Sequence, residues 1–152
     1  MPVTEFLSAD DIHLLTEVGM VGAGARLHVD ALALFEALAV LRPGRDFPWI
    51  GQLAVWLNRG QADEAVRVLQ QGCQCAAQAP EDSQTAHPGD LTLLTAFLGF
   101  AQHMARRTAD SRQTMQKVLT MPYHPHAHAM AKDMLGLTTQ NTLLTPLQEP
   151  ST

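Results

Sequence analysis

The chain has 152 residues, 46% of them hydrophobic, and a formal net charge of -5 at pH 7, which allows one ordinary core and excludes two large domains. Its ten Lys and Arg residues are scattered, and without a basic stripe a nucleic-acid-binding role is excluded, because phosphate binding needs clustered cations. The opening MPVTEFLSADDIHLL lacks the features of a secretory signal, and nowhere do roughly 18 uncharged apolar residues run together, so a cytoplasmic protein with no membrane insertion is expected.

Ser8-Ala9-Asp10-Asp11 reads as an N-cap with acids in the first turn, so a first helix starts near residue 9 with Ile12, Leu14, Leu15 and Val18 and is expected to fade at Gly22-Ala23-Gly24. A second runs from about His28 to Leu41, apolar nearly all round as suits a helix between neighbours. Pro48 to Leu69 reads as two antiparallel helices folded at Gly60. Trp49, Leu53 and Trp56 share the packing face of the first, and Ala65, Val66 and Leu69 point inward from the second, which continues through QQGCQCAAQA to Pro80. Residues 79–89, rich in Pro, Gly, Asp and Ser, are expected to form an inserted loop. A fifth helix starts at Asp90 with Leu94, Phe97, Leu98 and Ala101, and a sixth spans Thr108 to Thr120 with Met115, Val118 and Leu119 inward. A seventh, from His124-Pro125 to about Leu135, offers Met130, Met134 and Leu135 to close the stack, leaving 138–152 as a flexible tail on a single domain of residues 1–137.

Stepping back by the tetratricopeptide period of about 34 residues from Trp49, Ala65 and Leu69 lands on Leu15, Ala31 and Phe35, so the apolar, small and large positions recur. The fold class expected is all-α: a tetratricopeptide-like solenoid of about three helical hairpins, six to seven helices in all, with a capping C-terminal helix. Arg26 stands where the repeat expects its turn glycine, and Gly19, Gly22 and Gly24 are expected to loosen the first helix. Three repeats are near the minimum for independent stability, so partial unfolding or self-association is expected of the chain alone.

Chemistry has little to stand on. His124 and His128 sit four apart, a spacing that suits a metal, but Pro125 disturbs the geometry, His126 falls on another face and no acidic or thiol ligand follows, which favours solvated histidines. Asp10-Asp11 and Asp63-Glu64 are accounted for as first-turn acids favoured by the helix dipole. Cys73 and Cys75 are too close in sequence for an ordinary bridge and read as reduced thiols. No GxSxG, HExxH, GxGxxG or P-loop motif occurs, so no catalytic residue, cofactor or metal is assigned. What remains is shape: a solenoid whose first helices line a concave face suited to a peptide or helix. In the second repeat the positions turned away from the tryptophan face are Ile50, Ala54, Leu57 and Asn58. His13, Thr16, Met20 and Ala23 hold the equivalent places one repeat earlier, and Leu94, Leu98 and Ala101 extend the strip. Burial of these side chains by neighbouring repeats is the competing account.

LLTEVGMVGAGARLHVDALALFEAL, LNRGQADEAVRVLQQG with its Asn58-Arg59-Gly60 turn, and HPGDLTLLTAFLGF resemble the YscG-type co-chaperones of bacterial type III secretion over roughly residues 10 to 137. The resemblance implies a bacterial cytoplasmic chaperone, not an enzyme. Its partners would be the needle subunit, whose amphipathic C-terminal helix enters the concave apolar groove and is kept from polymerising before export, and a second, very small co-chaperone. The long 79–89 loop and the tail after Gly136 depart from the family, so contacts made there do not carry over. A related secretion accessory protein acting in the periplasm or as a scaffold is the competing reading.

Overall fold

A computed structural model of the chain describes residues 7–80, 87 and 89–137. The tail expected at 138–152 and most of the loop expected at 79–89 lie outside the described residues. Within them the regular structure is helical: α1 (Ala9–Gly24), α2 (His28–Leu41), α3 (Phe47–Asn58), α4 (Ala62–Gln78), α5 (Asp90–Met104), α6 (Thr108–Thr120) and α7 (Pro125–Met134). The local signals act as the sequence suggests. Ser8 Oγ accepts from the Asp11 N–H while the Asp11 carboxylate accepts from the Ser8 N–H at 2.9 Å, closing a capping box on α1. Pro48 and Pro125 occupy the first turns of α3 and α7. None of these helices is long and apolar enough to cross a membrane.

Consecutive helices pair as hairpins, α1 with α2, α3 with α4 and α5 with α6. The odd-numbered helices also pack side by side, α1 on α3, α3 on α5 and α5 on α7, while α2, α4 and α6 each lean on the next odd helix. The result is an all-α hairpin solenoid with an odd-helix layer and an even-helix layer. Its core is segmented. Phe35, Leu38 and Val55 centre the first cluster, Trp49, Leu53, Leu69 and Leu94 the second, and Met115, Val118, Ala127 and Ala131 the third, in which α7 seals the last hairpin. Outward, α2 exposes Val29 and Val40, so its apolar outer side is not covered by any described element.

One turn is used four times. Arg26, Gly60, Arg106 and Gly136 all have positive φ, at 65°, 71°, 62° and 73°, and each lies two residues beyond the end of an odd helix. The hydrogen bonds repeat with it. The N–H of the positive-φ residue donates to the carbonyl three residues back, and the next N–H donates five back, as in Gly60 to Leu57 and Gln61 to Trp56, both 2.9 Å. This is the Schellman closure, which satisfies carbonyls the helix leaves unpaired and sends the chain back antiparallel. Two of the four positions use arginine, against the conformational preference of a residue with a Cβ.

α1 runs without a break to Gly24, where it is expected to end, and Gly19 is a contact. A Cβ there would lie 2.7 Å from the tip of the Phe35 ring, and one at Gly51 of α3 would fall inside the same ring. Phe35 is fully buried and reaches from α2 between α1 and α3 where both present bare backbone. Gly72 of α4 receives Trp49 in the same way, a Cβ there lying 2.6 Å from the indole, whose Nε1 donates to the Pro43 carbonyl at 3.1 Å. Gly99 of α5 receives Met115. Trp56 shares the packing face as expected, partly buried with Arg59 over its ring at 5.1 Å.

Two predictions separate these roles. Alanine at Gly51 gains about 1 kcal/mol of helix propensity but overpacks a ring held on both sides, at a cost of about 3 kcal/mol, so thermal unfolding of Gly51→Ala shows a net loss of about 2 kcal/mol. Gly24→Ala, which meets nothing within 4 Å, shows no loss. At the turns, Arg26→Gly and Arg106→Gly each raise stability by about 1 kcal/mol, because glycine adopts positive φ without the Cβ clash; denaturant midpoints that fall instead would disprove the strain.

Candidate functional site

Counting back from the positive-φ residue of each turn fixes the register across the insertion between α4 and α5. Ile50, Ala54 and Leu57 of α3 correspond to Thr16, Met20 and Ala23 on α1, to Ala96, Phe100 and His103 on α5, and to His126, Met130 and Asp133 on α7. Phe47 corresponds to His13 and Leu93. Leu94 and Leu98 are therefore out of register, by one and by two residues: their counterparts on α3 are the buried Pro48 and Gln52. Leu94 itself is 0% exposed in the second core cluster, Ala101 is equally buried, and Leu98 is half-buried against that cluster. The strip on α5 is correctly Leu93 and Phe100.

The remaining expected residues divide. His13 is exposed and its Nε2 lies 3.1 Å from the Glu17 carboxylate one turn on. Met20 is exposed on α1. Ile50 and Leu57 are partly buried against the second core cluster, as Leu93, Phe100, Met130 and Met134 are against the third, and Ala54 is half-buried. Asn58 has a structural partner, its amide donating to the Ala23 carbonyl at 3.1 Å and tying the end of α3 to the end of α1. The eight residues thus do not form one apolar strip.

A better-formed concavity lies further along the same layer. Between α5 and α7 a groove of about 650 Å3 is lined by Leu93, Phe97 and Phe100 from one helix and by His126, Met130, Asp133 and Met134 from the other. No even-numbered helix contributes to it, so it opens on the face of the odd layer turned away from the hairpin partners. Five of its seven lining residues occupy the register positions defined above. The missing signal was the turn: Ala105-Arg106 repeats the Ala25-Arg26 dipeptide, and a reader who aligned those two pairs would have placed Leu93 and Phe100.

Polar groups around the groove serve structure. Asp90 opens α5 and pairs with Arg45 of the α2–α3 connection, Nε to Oδ2 at 3.0 Å, while the same oxygen accepts from the His87 N–H at 3.3 Å. Burial, reinforced by the nearby Asp46 charge, raises the Asp90 carboxyl above its ordinary 3.8, with Arg45 and the His87 contacts opposing. Thr92 Oγ1 donates to the Pro122 carbonyl at 3.0 Å, which links α5 to the start of the α7 segment. His124 caps α7, its Nδ1 accepting from the Ala127 N–H at 3.3 Å, and His128 Nδ1 contacts the His124 carbonyl at 3.1 Å. Among the described residues no three His, Cys, Asp or Glu side chains are placed to hold a metal ion. Cys73 and Cys75 are both free thiols, and burial pushes the Cys73 thiol up, so it stays protonated at neutral pH.

No protein-family model, curated protein or solved structure matches the chain. The groove and its register therefore stand on the residues alone.

The Asp90 environment has a measurable sign. Its folded pKa is raised, so the folded chain keeps a proton that the unfolded chain has released, and stability falls as pH rises from about 3.8 through the raised value. Denaturant titrations of the parent and of Asp90→Asn over that window are expected to diverge, with the parent losing stability relative to the variant. Parallel curves would show that Asp90 titrates alike in both states.

Proposed function

We propose that this protein is a non-enzymatic chaperone of a bacterial type III secretion system, working in the cytoplasm. It holds the needle subunit by that subunit's amphipathic C-terminal helix, prevents premature polymerisation and keeps the subunit export-competent, together with a second, small co-chaperone. The single observation that supports it most is the α5–α7 groove: Leu93, Phe97, Phe100, Met130 and Met134 make a continuous apolar lining, with His126 and Asp133 as its polar members. Such a lining suits the apolar face of a helix whose anchors recur every three to four residues. The two methionines, unbranched and polarisable, adapt to side chains of differing shape. The resemblance of the Asn58-Arg59-Gly60 turn and of the flanking segments to YscG-type co-chaperones favours a needle subunit as the client.

A self-assembling subunit is kept monomeric when the surface it would bury against its own copies is buried in a groove instead, and no bond need be made or broken for that. Apolar area in the groove supplies the affinity. Phe100 and Met130 line it from the two helices at equivalent register positions and are the expected hot spots.

Co-expression with the needle subunit is expected to give a soluble complex, with Phe100→Asp and Met130→Asp each weakening binding by about 30-fold, or about 2 kcal/mol. Both side chains are partly buried against the third core cluster, so circular dichroism checks that the variants stay folded. If the needle subunit polymerises in the presence of the parent chain, or if both variants bind it with unchanged affinity, the reading fails.

A further inference from the structure

We infer that the open end of the first repeat is a two-fold interface, α1 of one chain packing antiparallel on α1 of a second copy. Leu14, Val18 and Val21 of α1 are 59%, 55% and 72% exposed, and they form a stripe at helical spacing. In the turn-defined register their counterparts on α3 are Pro48, Gln52 and Val55, all buried on a helix that packs against α2 of the preceding hairpin. On α5 they are Leu94, Leu98 and Ala101, which pack in the second core cluster. The first repeat therefore carries the covered side chains of an internal repeat, with no described element lying over them. Val18, Val21 and Leu27 border a groove of about 230 Å3 between α1 and α2, floored by Gly19, Gly22 and Ala31.

A second copy fits this surface in area and in charge. Leu14, Val18, Val21 and Leu27 leave about 400 Å2 of apolar side chain exposed, roughly half of the ~800 Å2 that a stable interface covers on each partner and in keeping with its apolar share. An antiparallel pair centred on Val18 sets Leu14 opposite Gly22 of the second copy, where the missing Cβ leaves room. The same register sets Asp10, at the acidic start of α1, opposite Arg26, which projects from the turn at its end. Neither charge is ion-paired among the described residues, and the two-fold makes the pairing twice. A head-to-tail stack has no such match, because α6 and α7 expose Gln113, Gln116, Lys117 and Lys132. Closure by a two-fold is the consequence, not an open fibre.

Sedimentation equilibrium of the full chain at tens of micromolar tests this without any client, so its outcome is separate from that of the chaperone reading. The parent is expected at twice the mass of one chain, and Val18→Asp, which sets two carboxylates against each other at the axis, at the mass of one, with helical circular dichroism retained. Val29→Asp, on an exposed site of α2 outside the stripe, keeps the dimer. Asp10→Arg and Arg26→Asp each weaken the dimer, and combining them recovers at least tenfold in dissociation constant. A monomeric parent overturns the proposal, whether or not removal of residues 1–6 then allows dimers, and so does a Val18→Asp chain that remains dimeric. Failure of the charge reversals to recover one another overturns the antiparallel register.

Discussion

The contact on which the stack depends is the Phe35 ring seated between Gly19 and Gly51. Dispersion and burial of one aromatic ring stabilise the core by a few kcal/mol, but the larger effect is geometric: a single side chain on α2 fixes how closely α1 and α3 both approach it. The first odd helix is thereby joined to the second through the even helix between them. Trp49 on Gly72 and Met115 against Gly99 repeat the device within the second and third hairpins, so the glycines that reduce helix propensity are the sites at which the layers are brought together.

That close packing, combined with the four Schellman turns, explains why the odd layer is so regular. Each turn ends an odd helix at the same phase, so the side chains facing away from the hairpin partners recur in a fixed register. The α5–α7 groove is a product of this register: Leu93, Phe100, Met130 and Asp133 meet because the turns at Arg106 and Gly136 present α5 and α7 in the same orientation. On α3 the equivalent residues Ile50 and Leu57 pack against the second core cluster, as Phe100 and Met130 pack against the third.

The fold was legible because hairpins of this kind announce themselves locally. Trp49, Leu53 and Trp56 at helical spacing, Gly60, and the recurrence of Ala31 and Phe35 at Ala65 and Leu69 were sufficient for helix number and order. The site was legible only in part. Choosing Leu94 and Leu98 rested on continuing an apolar pattern through α5, and a helix that is buried on one side and lines a groove on the other is apolar on both, so periodicity does not separate the two faces. The turn would have separated them, but its residue at that point is arginine, which carries no compositional mark of positive φ. The contact at Gly19 was not legible for a related reason: propensity reads a glycine by its own backbone, whereas the ring it receives is supplied by another helix.

The spacing of the turns carries a consequence for how such a chain can change. The positive-φ residues of the four Schellman turns lie 34, 46 and 30 residues apart, and the long interval contains the connection between Gln78 and Asp90. Length gained or lost there leaves every layer contact in phase, because α5 is placed by its packing on α4 and by the Arg45–Asp90 pair, not by the span of the connection. A single residue added within α3 or α5, by contrast, would rotate everything beyond it by about 100° about the helix axis. The connection between α4 and α5 is thus one place where a reporter peptide or a second binding module could be spliced into the solenoid with its register intact.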